Sequence, residues 1–174
     1  VAKRFPVSLS FFIGNPRALE ENKRFVYVDL NRCFPGKKYG NYEEKIAFEL
    51  IEKLKEFDYI IDLHSSSNNC SLFGIITKPD KNKFDFDKRL GLKRLVVMPE
   101  YFASGKSLID FVKCGISLEI GPHNRKENVA EVFELINNFA EGRILDNEIE
   151  IFEVVDAIKK EVEGNILINN FEEV

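Results

Sequence analysis

The sequence predicts an α/β domain of three layers, a mixed and mostly parallel sheet between helices, and three observations carry that expectation. Short apolar runs alternate along the chain with stretches whose apolar residues recur at helical spacing. Apolar runs stop at turn residues such as Gly14-Asn15-Pro16 and Gly121-Pro122. The composition, 44% hydrophobic and 31% charged over 174 residues, is that of one globular domain with a core of its own.

Val7-Ser8-Leu9-Ser10-Phe11-Phe12-Ile13 alternates, then runs apolar into Gly14, which predicts a first strand. Residues 15–42 show little helical period and read as a long polar loop carrying Arg17, Arg24, Asp29, Asn31 and Arg32 before Phe34-Pro35-Gly36. In a compact domain, a loop of this length is more often functional than idle. Residues 42–57 predict an amphipathic helix, with Ile46, Leu50, Ile51 and Leu54 inward and a solvated face of Glu43, Glu44, Lys45, Glu52, Lys53 and Lys55.

Ile60-Ile61-Asp62-Leu63 predicts a buried strand that ends at His64 and opens into a Ser/Asn loop through Cys70. Further strands are expected at residues 72–77, 94–98 and 114–122, with a helix over 81–90. Asn128 is expected to cap a last helix with Val129, Val132, Phe133, Ile136 and Phe139 on one face, and Gly142 to end it. Residues 149–155 alternate as a final strand. Residues 1–160 thus form one domain, and 161–174 are a tail or the start of a further subdomain.

Charge and cysteine content exclude several classes. The net charge is -4, with both signs interleaved along the chain, which argues against a nucleic-acid partner. No apolar run approaches the ~20 residues of a membrane span, so no membrane partner is expected. Cys33, Cys70 and Cys114 form no Cys-x-x-Cys pair, which suits a reducing cytoplasm better than a disulfide framework. Gly105-Lys106-Ser107 looks like the end of a phosphate-binding loop, but Glu100 stands where that motif needs its first glycine. The chain opens Val1-Ala2-Lys3-Arg4, its only methionine is Met98, and an upstream part is expected.

The residues suited to chemistry are His64, Glu119, and Arg24, Asn31 and Arg32 of the long loop. In α/β sheets, ligands bind at the carboxyl ends of strands, where His64 and Glu119 would supply a metal ligand and a general base. An arginine adds a planar fork for a carboxylate or a charge for a developing oxyanion. Structural ion pairs remain an equal reading: Glu119 could be a strand-end residue paired with a loop arginine, and Asp29 with Arg32 a local pair. His64, Glu119 and His123 also make, by composition, a complete His/His/Glu zinc set.

The ordered series Asn15-Pro16-Arg17-Ala18, Arg24, Asp29-Leu30-Asn31-Arg32, Phe34-Pro35-Gly36, Asp62-Leu63-His64 and Glu119-Ile120-Gly121-Pro122 resembles the succinylglutamate desuccinylase/aspartoacylase family. These are zinc-dependent amidohydrolases with a zinc-carboxypeptidase-like fold. The resemblance implies that His64 is a zinc ligand, Glu119 the general base and Arg24 the group that polarises the scissile carbonyl. It implies that Asn31 and Arg32 hold a substrate carboxylate, with Lys106 nearest to a second substrate-binding position and Asp29 orienting the loop. Two family features lie outside this sequence: a His-x-x-Glu metal motif, expected upstream of Val1, and a C-terminal β subdomain.

The expected function is therefore a Zn2+-dependent hydrolase that removes an acyl group from an N-acyl acidic amino acid or similar small molecule. Two alternatives stand beside it, a relative that binds a small carboxylate without catalysis and a metallocarboxypeptidase. Oligomeric state leaves no trace in the sequence.

Overall fold

The structure, a computed structural model, describes residues 7–66, 69–99, 101, 105–123, 127–143, 145 and 148–156. In chain order the elements are α1 (Pro16–Glu20), α2 (Tyr42–Leu54), β1 (Ile60–Ser66), β2 (Phe73–Ile76), α3 (Lys81–Leu90), β3 (Arg94–Val97), β4 (Gly115–Pro122), α4 (Glu127–Ala140) and β5 (Glu150–Glu153). Short 3-10 turns occupy Leu30–Arg32 and Leu108–Asp110.

One five-stranded sheet runs in the order β1-β4-β2-β3-β5. The β1–β4, β2–β3 and β3–β5 pairs are parallel, and β2 lies antiparallel to β4. The expected mixed, mostly parallel sheet is therefore present. Successive strand residues point to opposite faces, and the core divides accordingly. Ile76, Phe86, Leu90, Leu92, Leu95, Ile116, Leu118 and Phe139 fill one face, under α3 and α4. Phe34, Ala47, Ile51, Leu54, Ile60 and Leu108 fill the other, under α2. Helices on both faces complete the three layers.

Local chemistry explains the clearest boundaries. Asp80 caps α3 by accepting from the Asn82 and Lys83 amides, and Gly91 closes it in the left-handed region at φ 79°. Asn41 and Glu44 form a reciprocal capping box at the start of α2.

Several expectations are corrected. Residues 7–13 form no strand: among the described residues no neighbour supplies a ladder, and Phe11 is 82% exposed. Phe12 instead meets the Phe57 ring edge-on at 5.7 Å. The polar stretch 15–42 is not all loop, because Asn15 caps α1 with Pro16 at its first position and Asp29 caps the turn Leu30–Arg32.

Glu43 is not on a solvated face but fully buried, since the inward stripe of α2 is Glu43, Ala47, Ile51 and Leu54. Asn128 lies inside α4 rather than capping it. Val132 and Phe139 are buried there as expected and Leu135 joins them, whereas Val129 and Phe133 are exposed. Gly142, at φ 66°, follows α4 as expected, with the Arg143 amide bonded back to Asn138. Residues 161–174 lie outside the described residues.

Candidate functional site

The site forms where β1 and β4 end together. Their parallel register pairs Asp62 with Ser117 and His64 with Glu119. Partners on neighbouring strands are about 4.8 Å apart and share a face, so His64 and Glu119 stand side by side at the same sheet edge. Asp62, two residues before His64, lies on that face as well.

Nε2 of His64 donates to Oδ2 of Asp62 at 2.8 Å. The bond fixes the ring, and in the neutral ring it leaves the lone pair on Nδ1, the arrangement in which a carboxylate orients a histidine ligand. Burial works against the charged ring, but the Asp62 hydrogen bond and the charges of Asp62, Glu119 and Asp29 outweigh it and raise the His64 pKa.

Within the loop, Arg24 gives Nε and Nη2 to Oδ2 of Asp29, at 3.3 and 2.8 Å. The Asn31 amide donates to Oδ1 of Asp29 at 3.1 Å. Burial pushes the Asp29 carboxyl up, and the bonds from Arg24 and Asn31 with the charges of Arg24 and Arg32 bring it below its ordinary value. Asp29 thus orients the loop, and its ion pair is with Arg24 rather than with Arg32. Nη1 of Arg32 reaches the Asn31 carbonyl at 2.8 Å, and the side chain is otherwise exposed. Oδ1 of Asn31 is buried without a hydrogen-bond partner among the described residues, an acceptor that awaits a donor. Lys106 is exposed, and its charge acts on Cys33 and Glu44 beside the loop's end.

The structure therefore sets His64 beside Glu119 on one face of the sheet and ties Arg24, Asp29 and Asn31 together within one loop segment, which also carries Arg32. It gives His123 a different partner. Beyond Gly121, whose φ of 85° turns the chain, Nδ1 of His123 shares a hydrogen bond of 2.7 Å with Ser65. The His64, Glu119, His123 set is not assembled as a metal-holding group among the described residues. Among the described residues no group of three His, Cys, Asp or Glu side chains is arranged to hold a metal ion. His64 is thus one ligand position, short of the three protein ligands usual for catalytic zinc.

Two residues with clear parts in this architecture were not singled out from the sequence. Asp62 was legible in principle, because an Asp-x-His spacing on a strand places both side chains on one face. Glu43 was not: Oε1 accepts from Val26 N at 2.6 Å and from Asn15 Nδ2 at 3.2 Å, and both of its oxygens take the Tyr27 amide at 3.3 Å. Burial pushes its carboxyl up, and these bonds outweigh that and hold it below its ordinary value.

The family model for the succinylglutamate desuccinylase/aspartoacylase catalytic domain matches residues 3–142. An N-acyl-aromatic-L-amino acid amidohydrolase (carboxylate-forming) B of Danio rerio is 28% identical over 88% of this chain and 59% of its own length. A probable aspartoacylase of Nostoc sp. is 28% identical over 91% of this chain and 55% of its own. The chain thus spans less than three-fifths of these curated relatives. Among solved structures, the succinylglutamate desuccinylase of Chromobacterium violaceum aligns with a TM-score of 0.61 at 19% identity, over 88% of this chain and 57% of that one. Murine aminoacylase 3 aligns with a TM-score of 0.57 at 24% identity, over 72% and 51%. Both share the fold described above.

Proposed function

Since the chain belongs to the succinylglutamate desuccinylase/aspartoacylase family, we propose that it is the catalytic-domain portion of an amidohydrolase that removes the acyl group from an N-acyl acidic amino acid or a similar small molecule. The observation that carries the reading is the His64–Glu119 register on one face of the sheet, and the loop that gathers Arg24, Asp29 and Asn31 beside Arg32 supports it.

Each residue then has a task within its chemistry. Glu119, half-buried at the end of β4, accepts the proton of the attacking water. Arg24 is held by Asp29 through two of its nitrogens, which leaves Nη1 to meet the oxyanion that develops on the scissile carbonyl. Arg32 and Asn31 grip the substrate carboxylate, for which a guanidinium offers two parallel hydrogen bonds. Lys106 adds positive charge near the loop's end. Zinc, which the family uses, would lower the pKa of a bound water, with His64 as one of its ligands. The described residues do not complete a zinc site, and the roles above are those of the chain's own groups.

The test is metal analysis and hydrolysis by the product of the complete gene, against N-acetyl-L-aspartate, N-succinyl-L-glutamate and N-acetyl-L-phenylalanine. One zinc per chain and preference for an acidic substrate are expected. Preference for the aromatic substrate would move the specificity toward that named in the Danio rerio relative. Loss of no activity in His64→Ala would sink the reading.

A further inference from the structure

We propose that Glu43 is a positioning residue: from the first turn of α2 it fixes the shape of the loop bearing Arg24, Asp29, Asn31 and Arg32, and so sets the affinity for a substrate carboxylate. The inference rests on the functional reading above and adds to it a residue that touches no substrate.

The geometry is specific. Glu43 is 0% exposed, whereas Lys45 in the same turn is exposed. A carboxylate in the first turn of a helix is already favoured by the backbone dipole and needs only water as its partner. This one is turned inward, where a buried charge is costly unless it is hydrogen-bonded. Its bonds run to two separate points of the loop. Asn15 stands at the loop's start, where its Oδ1 also caps α1 by accepting from the Ala18 amide at 3.0 Å. Val26 and Tyr27 stand in the middle, between Arg24 and Asp29.

Little apolar burial holds that stretch. Between residues 19 and 33 no side chain is fully buried, and Phe25 and Tyr27 are exposed. The carboxylate takes the place a core residue would otherwise fill. Only an ionised carboxylate suits the position, because both oxygens accept, and an amide would turn an NH2 toward the Tyr27 N–H. Arg24 and Asp29 flank the two anchored amides, so a shift there is passed directly to the Arg24–Asp29 pair and to the turn that carries Asn31 and Arg32.

The experiment compares parent protein, Glu43→Gln, Asn15→Ser and Arg32→Ala by limited trypsin digestion and by calorimetric titration with L-aspartate. Asn15→Ser keeps a capping oxygen but removes the Nδ2 donor, and it serves if Glu43→Gln does not fold. In Glu43→Gln, cleavage at Arg17, Lys23, Arg24 and Arg32 should rise about tenfold while cleavage at Lys88 and Arg89 of α3 stays constant. The Kd for aspartate should rise about tenfold, with a smaller rise in Asn15→Ser. In the Arg32→Ala background, Glu43→Gln should add less than about twofold, since the carboxylate acts through the loop it holds.

Equal acceleration at every tryptic site would mean a merely structural role and would overturn the proposal. So would an unchanged Kd in both variants, or full additivity with Arg32→Ala. Failure of the parent to bind aspartate would instead count against the functional reading, and loop cleavage alone would then decide whether Glu43 holds the loop.

Discussion

His64 and Glu119 are register partners on adjacent parallel strands and face the same side of the sheet. A water between them could be reached by both, which neither residue's place in the sequence guarantees. Glu119→Gln should therefore cut kcat by about a hundredfold to ten-thousandfold while leaving the fold intact, because an amide of the same shape cannot take the proton. Steady-state kinetics with a thermal melt checks this; an unchanged kcat would remove Glu119 from the reaction.

Arg32→Lys should raise KM by about tenfold or more and shift Tm by less than about 2 °C. The guanidinium bonds only to its neighbour's carbonyl among the described residues and is exposed, so the fold loses little. A substrate carboxylate loses its two parallel bonds. A large fall in Tm with unchanged KM would show that Arg32 serves the fold.

His123→Ala should leave both zinc content and turnover as they are. The ring is bonded to Ser65, and His64, Glu119 and His123 form no metal-holding group among the described residues. Metal analysis of the His64→Ala and His123→Ala proteins side by side decides it, and loss of metal in the second would restore the His/His/Glu set.

Asp87 predicts a pH dependence of stability. It is 0% exposed, neither oxygen has a partner among the described residues, and burial pushes its pKa up to about 7. A carboxyl whose folded pKa exceeds its unfolded value of 3.8 binds protons more tightly in the fold. Its contribution is complete below pH 3.8 and is lost progressively as pH rises toward 7. Asp87→Asn should flatten this slope, so that the variant gains a few kcal/mol over the parent between about pH 5 and 8. Denaturant melts at several pH values give the answer; parallel curves for the two proteins would refute it.

Gly36→Ala should destabilise by ~3 kcal/mol or more. Gly36 has φ 88°, and a Cβ there would lie 2.1 Å from the Phe48 amide nitrogen and 2.5 Å from the Glu44 carbonyl. Chemical denaturation measures it, and a loss under about 0.5 kcal/mol would mean the Phe34–Gly36 turn yields easily.

What the sequence disclosed follows from how local each signal is. The bounds of α3 are those expected, because Asp80 and Gly91 fix its ends by neighbour chemistry. His64 and Glu119 were legible as lying near strand ends, although β1 runs on to Ser66 and β4 to Pro122. Their mutual register was not, because it depends on two strands meeting across intervening elements. Glu43 escaped notice for a similar reason: in a run of charges its spacing looked solvated, and only the return of Val26 and Tyr27 onto α2 buries it. The expected first strand at residues 7–13 had the right pattern, but alternation describes a face and does not supply a neighbour. In α4 the apolar residues outnumber the positions that face the sheet, so Val132 and Phe139 are inward as expected while Val129 and Phe133 are not.

The order of the sheet also bears on how the protein comes to be folded. Among the described strands β1 pairs only with β4, and β2, α3 and β3 lie between them in the chain. Closing that interval costs chain entropy before any contact repays it, and such pairings tend to form late. During synthesis, then, the strand bearing His64 emerges well before its one neighbour among the described strands, and the His64–Glu119 pair exists only once Gly115–Pro122 has docked. A chain stopped before Gly115 would leave β1, already an edge among the described strands, without its described partner, open to aggregation.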